Sequence, residues 1–79
     1  MGALLLSVEP SSAAYRAGLR QFDIVTEFAG RAITCMDDLV EEISRCYAGE
    51  VVSVTVFTFS RRFDDGEVRT VSFALDPAS

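Results

Sequence analysis

Residues 11–25 read SSAAYRAGLRQFDIV, and this stretch decides the fold. Either of its two leading serines can cap a short helix that runs through Arg16, because a serine hydroxyl accepts a hydrogen bond from a free amide at a helix start. Gly18 suits the left-handed position just past the helix end, where a side chain would clash. Asp23 is expected to accept hydrogen bonds from amides of the turn that it closes. The stretch therefore predicts a helix, a tight turn and a following strand, with Asp23 in a structural and not a catalytic role.

Hydrophobic patterning places the elements on either side of this stretch. The apolar run over residues 3–9 has the length of a strand and is stopped by Pro10. Residues 24–28 are predicted to form a second strand, which turns at Ala29-Gly30 into a short strand that leads to Ile33.

The second half of the chain predicts a longer helix and two strands. Apolar residues recur at helical spacing within a helix expected over residues 36–46, and Thr34 followed three residues later by Asp37 resembles a capping box. Residues 51–59 are apolar on both faces, which indicates a central strand. Asp65-Gly66 is a hairpin signal before a return strand over 68–75.

This order of elements resembles a PDZ domain, in the permuted form found in PDZ-containing serine proteases. The resemblance covers nearly the whole chain and implies an α+β fold, a PDZ-like partly open antiparallel β-barrel or sandwich of about five strands with two helices. Residues 1–79 are then expected to form a single domain of a larger protein. Two features depart from the family pattern. Phe22 stands where the family usually has glycine, and the glycine-containing carboxylate-binding loop with its following groove strand has no counterpart.

The resemblance also implies a function. A PDZ domain binds an extended peptide or a C-terminus as an added antiparallel strand between a sheet edge and the longer helix. By resemblance, the peptide-binding residues are helical positions together with two leucines of the edge strand: Leu4, Leu6, Met36, Val40, Ile43 and Ser44. The helical spacing of Met36, Leu39, Val40 and Ile43 is equally consistent with a stripe that packs into the core, and Leu39 is assigned to the core on either interpretation.

Two other functions stay open at this point. The chain can be a regulatory or substrate-recognition domain of a larger protease. It can also be a structural domain that has no peptide ligand and forms a homodimer by pairing the edge strand 3–8 with a second copy.

Composition argues against several classes of function. The net charge of −5, with scattered arginines, disfavours nucleic acid as a partner. The chain contains no histidine, so nucleophile activation by histidine is impossible and a zinc site would lack ligands. The acidic residues Asp37, Asp38, Glu41 and Glu42 are expected to form a solvated helix face, with an acidic recognition surface as the alternative. We therefore predict no enzymatic activity and no cofactor.

Two further expectations concern the cysteines and the membrane. Cys35 and Cys46 would lie roughly 16 Å apart on one helix, whereas a disulfide needs Cα atoms about 4.4–6.8 Å apart. Two reduced thiols favour a reducing compartment, and hence the cytoplasm. No apolar run approaches the ~20 residues that span a bilayer.

Overall fold

The computed structural model describes residues 2–59 and 66–76 of the 79-residue chain. In chain order, its elements are β1 (Ala3–Leu4), α1 (Ala13–Arg16), β2 (Ile24–Phe28), β3 (Arg31–Ala32), α2 (Met36–Ser44), β4 (Val51–Phe59) and β5 (Gly66–Ala74). The predicted hairpin turn before Gly66 lies outside the described residues.

All five strands belong to one antiparallel sheet. The strands are ordered β1-β2-β4-β5, and the short β3 pairs with β2. The sheet does not close on itself: among the described residues, β1 and β3 lie along one edge and β5 forms the other. The predicted α+β fold, with about five antiparallel strands, an open sheet and two helices, is confirmed.

The core lies against one face of the sheet, and β4 runs through its centre. Alternate residues of β4 (Val52, Val54 and Val56) are buried, as expected for a strand with one face on a core. Helix α2 contributes Leu39, which confirms its assignment to the core. The rest of the buried apolar cluster consists of Ala3, Leu19, Val25, Phe28 and Ile33.

Strand β1 is much shorter than the predicted strand over residues 3–9. It pairs with β2 through Ala3 opposite Val25 and Leu4 opposite Ile24. Leu5 is still hydrogen-bonded to the residues just before β2: its amide donates to the Asp23 carbonyl, and its carbonyl accepts from the Phe22 amide. Beyond Leu5 the chain leaves the sheet, so the predicted strand over residues 3–9 is too long, and the alternation of apolar and polar residues in Leu-Ser-Val-Glu over 6–9 was misleading as a strand signal.

The turn after α1 follows the predicted geometry closely. The Ser12 hydroxyl accepts a hydrogen bond from the Tyr15 amide and caps α1. Gly18, just beyond the C-cap, has φ = 108°, as predicted for the left-handed position. Phe22 has φ = 73°, so it keeps a conformation that favours glycine even though its side chain makes that conformation costly.

Helix α2 begins in a different way from the predicted capping box. Cys35 is the N-cap residue and makes no side-chain capping bond. Instead the Asp38 carboxylate accepts hydrogen bonds from the Thr34 amide, at 3.0 Å, and from the Thr34 hydroxyl. The acidic partner is therefore one residue later than Asp37, because the helix starts after Cys35 and not at Thr34.

Candidate functional site

A cavity of about 350 Å³ lies beside the β1 edge, between the segment over residues 5–9 and helix α2. We call it the groove cavity. Its walls come from that segment, α1, α2 and the sheet, and they are largely apolar. The groove cavity is lined by Leu5, Ser7, Val8, Glu9, Ser12, Ala14, Leu19, Val25, Phe28, Leu39, Ile43, Val54, Phe73, Leu75 and Asp76. Its volume is within the range of small ligand sites, about 300–1,000 Å³.

The apolar residues of helix α2 form a stripe that starts at the core and continues onto the exposed surface of the helix. Successive helical residues are rotated by about 100°, so Ile43, Met36 and Val40 follow Leu39 in that order around the helix. Exposure rises along the same arc: Leu39 is buried, Met36 and Ile43 are 40% and 42% exposed, and Val40 is 58% exposed. Ser44 comes next and is exposed. The stripe is thus partly core and partly available surface, with Ile43 at the boundary and in the wall of the groove cavity.

The two leucines predicted from the edge strand are both exposed, at 43% for Leu4 and 67% for Leu6. Side chains alternate between the two faces of a strand, so Leu4 points to the sheet face opposite the core, and Leu5 points inward. Leu5, which sequence reasoning did not select, lines the groove cavity with Ile43. Strand alternation starting from the buried Ala3 was the signal that could have identified it.

The ionisable side chains that line the groove cavity are both acidic, Glu9 and Asp76, among the residues that the structure describes. Asp76 accepts the Ala13 amide at 2.8 Å, and one carboxylate oxygen lies 3.8 Å from the Arg16 guanidinium. In the described part of the chain, the Glu9 carboxylate has neither a hydrogen bond nor an ion pair. The lining therefore combines apolar walls with negative charge at its margin.

Three of the four acidic residues of α2, namely Asp38, Glu41 and Glu42, form ion pairs or hydrogen bonds with neighbouring side chains. Arg45 pairs with Glu41 at 2.8 Å and with Glu42 at 3.3 Å, and Arg31 of β3 reaches Glu42 at 3.2 Å. The Thr34 hydroxyl, followed by the Thr34 amide, lowers the pKa of Asp38 below its usual value. These contacts attach the back of α2 to β3 and favour the solvated structural face over an acidic recognition surface.

A buried polar network fixes the sheet beneath the site. Asp23 is only 2% exposed, and its carboxylate accepts hydrogen bonds from the Arg20 amide at 3.0 Å and from the Thr58 hydroxyl at 2.9 Å. The Arg69 guanidinium donates to the same carboxylate at 3.1 Å and to the Gly18 carbonyl at 3.3 Å. The predicted structural role of Asp23 agrees with this geometry, although Arg69 and Thr58 were not foreseen as its partners.

The opposite sheet face carries an apolar row that sequence reasoning missed. Register places Leu4 opposite Ile24, Ile24 opposite Phe57 and Phe57 opposite Val68, so one side chain from each strand forms a line across the sheet. Phe59 packs edge-on against Phe57, with ring centroids 4.9 Å apart. The rows towards the start of β4 are hydroxylic, with Thr55 paired to Thr70 at 3.0 Å and Ser53 to Ser72 at 3.1 Å.

The cysteines and the acidic side chains form no metal centre or disulfide in the described residues. Cys35 is exposed, and Cys46 is half-buried and donates a weak hydrogen bond to the Glu42 carbonyl. Burial, followed by the nearby charges of Glu50 and Glu42, raises the pKa of Cys46. Within the described ranges, no group of three or more metal-ligating side chains comes together. None of the described helices is both long enough and apolar enough to cross a bilayer.

Taken together, an open antiparallel sheet, a short capped helix and a longer helix beside the sheet edge define an α+β domain of the protein-interaction type. The chain belongs to the PDZ family, because the family model described as "PDZ domain" matches residues 1–75. PDZ domains are non-catalytic modules that bind protein segments.

One curated relative comes from Marinomonas sp. (strain MWYL1) and is named a probable periplasmic serine endoprotease DegP-like. The two sequences are 35% identical over 75 residues, which is 95% of this chain and 15% of the relative. The chain thus spans only a small part of that protease. Because the name of this relative describes it as a probable periplasmic protein, it gives no support to a cytoplasmic location, which stays a prediction.

Proposed function

We propose that this domain binds an extended protein segment by strand addition beside α2. The observation that carries the proposal is the groove cavity, an apolar hollow bounded on one side by the segment that follows β1 and on the other by α2. A polypeptide in extended form can use main-chain hydrogen bonds along the open edge and place alternate side chains in the hollow.

The edge that β1 offers is short, so side-chain burial must contribute much of the affinity. Leu5 and Ile43 form opposing walls, while Met36 and Val40 extend the apolar surface outward from the helix. Burying one aliphatic side chain contributes roughly 1.5–3 kcal/mol before the entropic costs of association. We therefore expect weak binding, with apolar residues at alternate ligand positions.

The test is a titration of the protein with a synthetic peptide of strand length whose alternate residues are leucine and valine, followed by amide chemical shifts. The shifts are expected to concentrate at residues 3–8 and at α2. The variant Val40→Glu should weaken binding, whereas the matched variant Val68→Glu, on the opposite sheet face, should not. Shifts that spare α2, or equal effects of the two variants, would contradict the proposal.

A second candidate function is regulation or substrate recognition within a larger protease. It is favoured by the similarity to the DegP-like endoprotease. The flanking sequence of the gene decides it, because such a protease needs a catalytic serine, histidine and aspartate outside this domain. Without that set in the flanking sequence, this candidate is wrong.

A further inference from the structure

We infer that the segment accepted by the groove cavity carries a basic residue next to its apolar anchor. This inference rests on the proposed function and adds the charge of the partner to it. The cavity walls require an apolar side chain, while the ionisable groups at the cavity margin determine which neighbouring residues of the ligand are tolerated.

Among the described residues, the ionisable side chains that line the groove cavity are all negatively charged. Glu9 and Asp76 line the cavity, and no arginine does. Asp76 is partly compensated by Arg16, but the 3.8 Å separation and the exposure of both side chains make this a weak pair. Glu9 has no side-chain partner among the described residues and is exposed, so its carboxylate can accept a cation without breaking an existing contact.

The helical side of the site adds to the same potential. Asp37 follows Val40 and Ser44 around α2, at the outer margin of the apolar stripe. Its side chain is exposed and has no ion pair within the described ranges. A ligand between the segment over 5–9 and α2 thus has Glu9 in the wall of its site and Asp37 farther out, on the solvent side of α2, and the net charge of the chain is −5. Acidic ligand residues are repelled, and lysine or arginine is attracted.

The experiment uses three acetylated and amidated peptides of strand length that share the same alternating leucines and differ at one position next to the central leucine. That position is lysine, glutamine or glutamate, and affinity is measured by fluorescence anisotropy. Exposed ion pairs contribute about 0.2–1 kcal/mol, so the lysine peptide should bind up to about fivefold more tightly than the glutamine peptide. The preference should shrink when salt is raised from about 0.01 M to about 1 M, which shortens the Debye length from about 30 Å to about 3 Å.

Two variants of equal charge change separate a local from a global effect. Glu9→Lys should reverse the order of the lysine and glutamate peptides. Glu67→Lys changes the net charge equally, but Glu67 does not line the cavity and lies six residues along β5 from Phe73, a distance of about 20 Å between these two residues, and the variant should preserve the order. If the three peptides bind with equal affinity, or if Glu9→Lys has the same effect as Glu67→Lys, the inference is wrong and the proposed function stands. If none of the peptides binds, both are wrong.

Discussion

Replacing Asp23 by alanine tests whether the buried polar network holds the sheet together. The carboxylate accepts three hydrogen bonds, from the Arg20 amide, the Thr58 hydroxyl and the Arg69 guanidinium, at 2.9–3.1 Å. These contacts join the turn after α1 to β4 and β5, two strands that lie 35 and 46 residues farther along the chain at the contact points. Loss of the carboxylate leaves all three donors without this acceptor.

The magnitude follows from the three contacts. A neutral hydrogen bond contributes about 0.5–1.5 kcal/mol, and a charged one about 1.5–3 kcal/mol. Breaking a fully buried ion pair costs about 3–5 kcal/mol, but the Arg69 side chain is 31% exposed and keeps its bond to the Gly18 carbonyl, so water offsets part of this cost. We expect Asp23→Ala to lower the free energy of unfolding by about 3 kcal/mol, from a total of about 4–12 kcal/mol for a chain of this length.

Urea denaturation monitored by circular dichroism measures this loss. The control is Glu27→Ala, an exposed strand residue with no ion pair among the described residues, which should change stability by less than about 0.5 kcal/mol. Combining Asp23→Ala with Thr58→Val should give a coupling energy of at least about 0.5 kcal/mol. A loss below about 1 kcal/mol for Asp23→Ala, or strictly additive effects in the double variant, would refute the assignment of this network as a stabilising element.

Three further predictions concern local features. Gly18→Val should destabilise the domain by at least ~1 kcal/mol in the same assay, because its φ of 108° disfavours a β-branched side chain, and unchanged stability would contradict this. The pKa of Asp38 is lowered in the folded protein, so its contribution to stability is present above the unfolded pKa of about 3.9 and is lost as pH falls through the lower folded value. Thr34→Val should therefore raise that pKa in an NMR titration, and an unchanged value would show that the hydroxyl is not the main cause. Alkylation by iodoacetamide, followed by mass spectrometry, should modify the exposed Cys35 before Cys46, whose raised pKa reduces its thiolate fraction, and the reverse order would be inconsistent with the structure.

Much of the architecture could be predicted from local sequence. The strand over residues 24–28, the central strand over 51–59 and the helix from Met36 follow from the spacing of apolar residues, because burial on one face imposes a period on the side chains. Gly18 was assigned correctly, and the cap of α1 was narrowed to the two serines Ser11 and Ser12, because helix ends place steric and hydrogen-bonding demands on single residues. The PDZ family was recognised from the same stretch, since its order of helix, glycine turn and strand is unusual.

Other features depended on contacts between residues that are distant in the chain. A strand was predicted over residues 3–9, yet β1 ends at Leu4 and the backbone bonds to the residues before β2 end at Leu5. The Asp23 partner Arg69 lies 46 residues away, and strand register alone brings the two together. The same register directs Leu4 away from the groove cavity and Leu5 into it. Local sequence thus determined which elements form, because these depend on neighbouring residues. Tertiary structure decided strand length, buried charge partners and the walls of the groove cavity, because each requires two separated segments to meet.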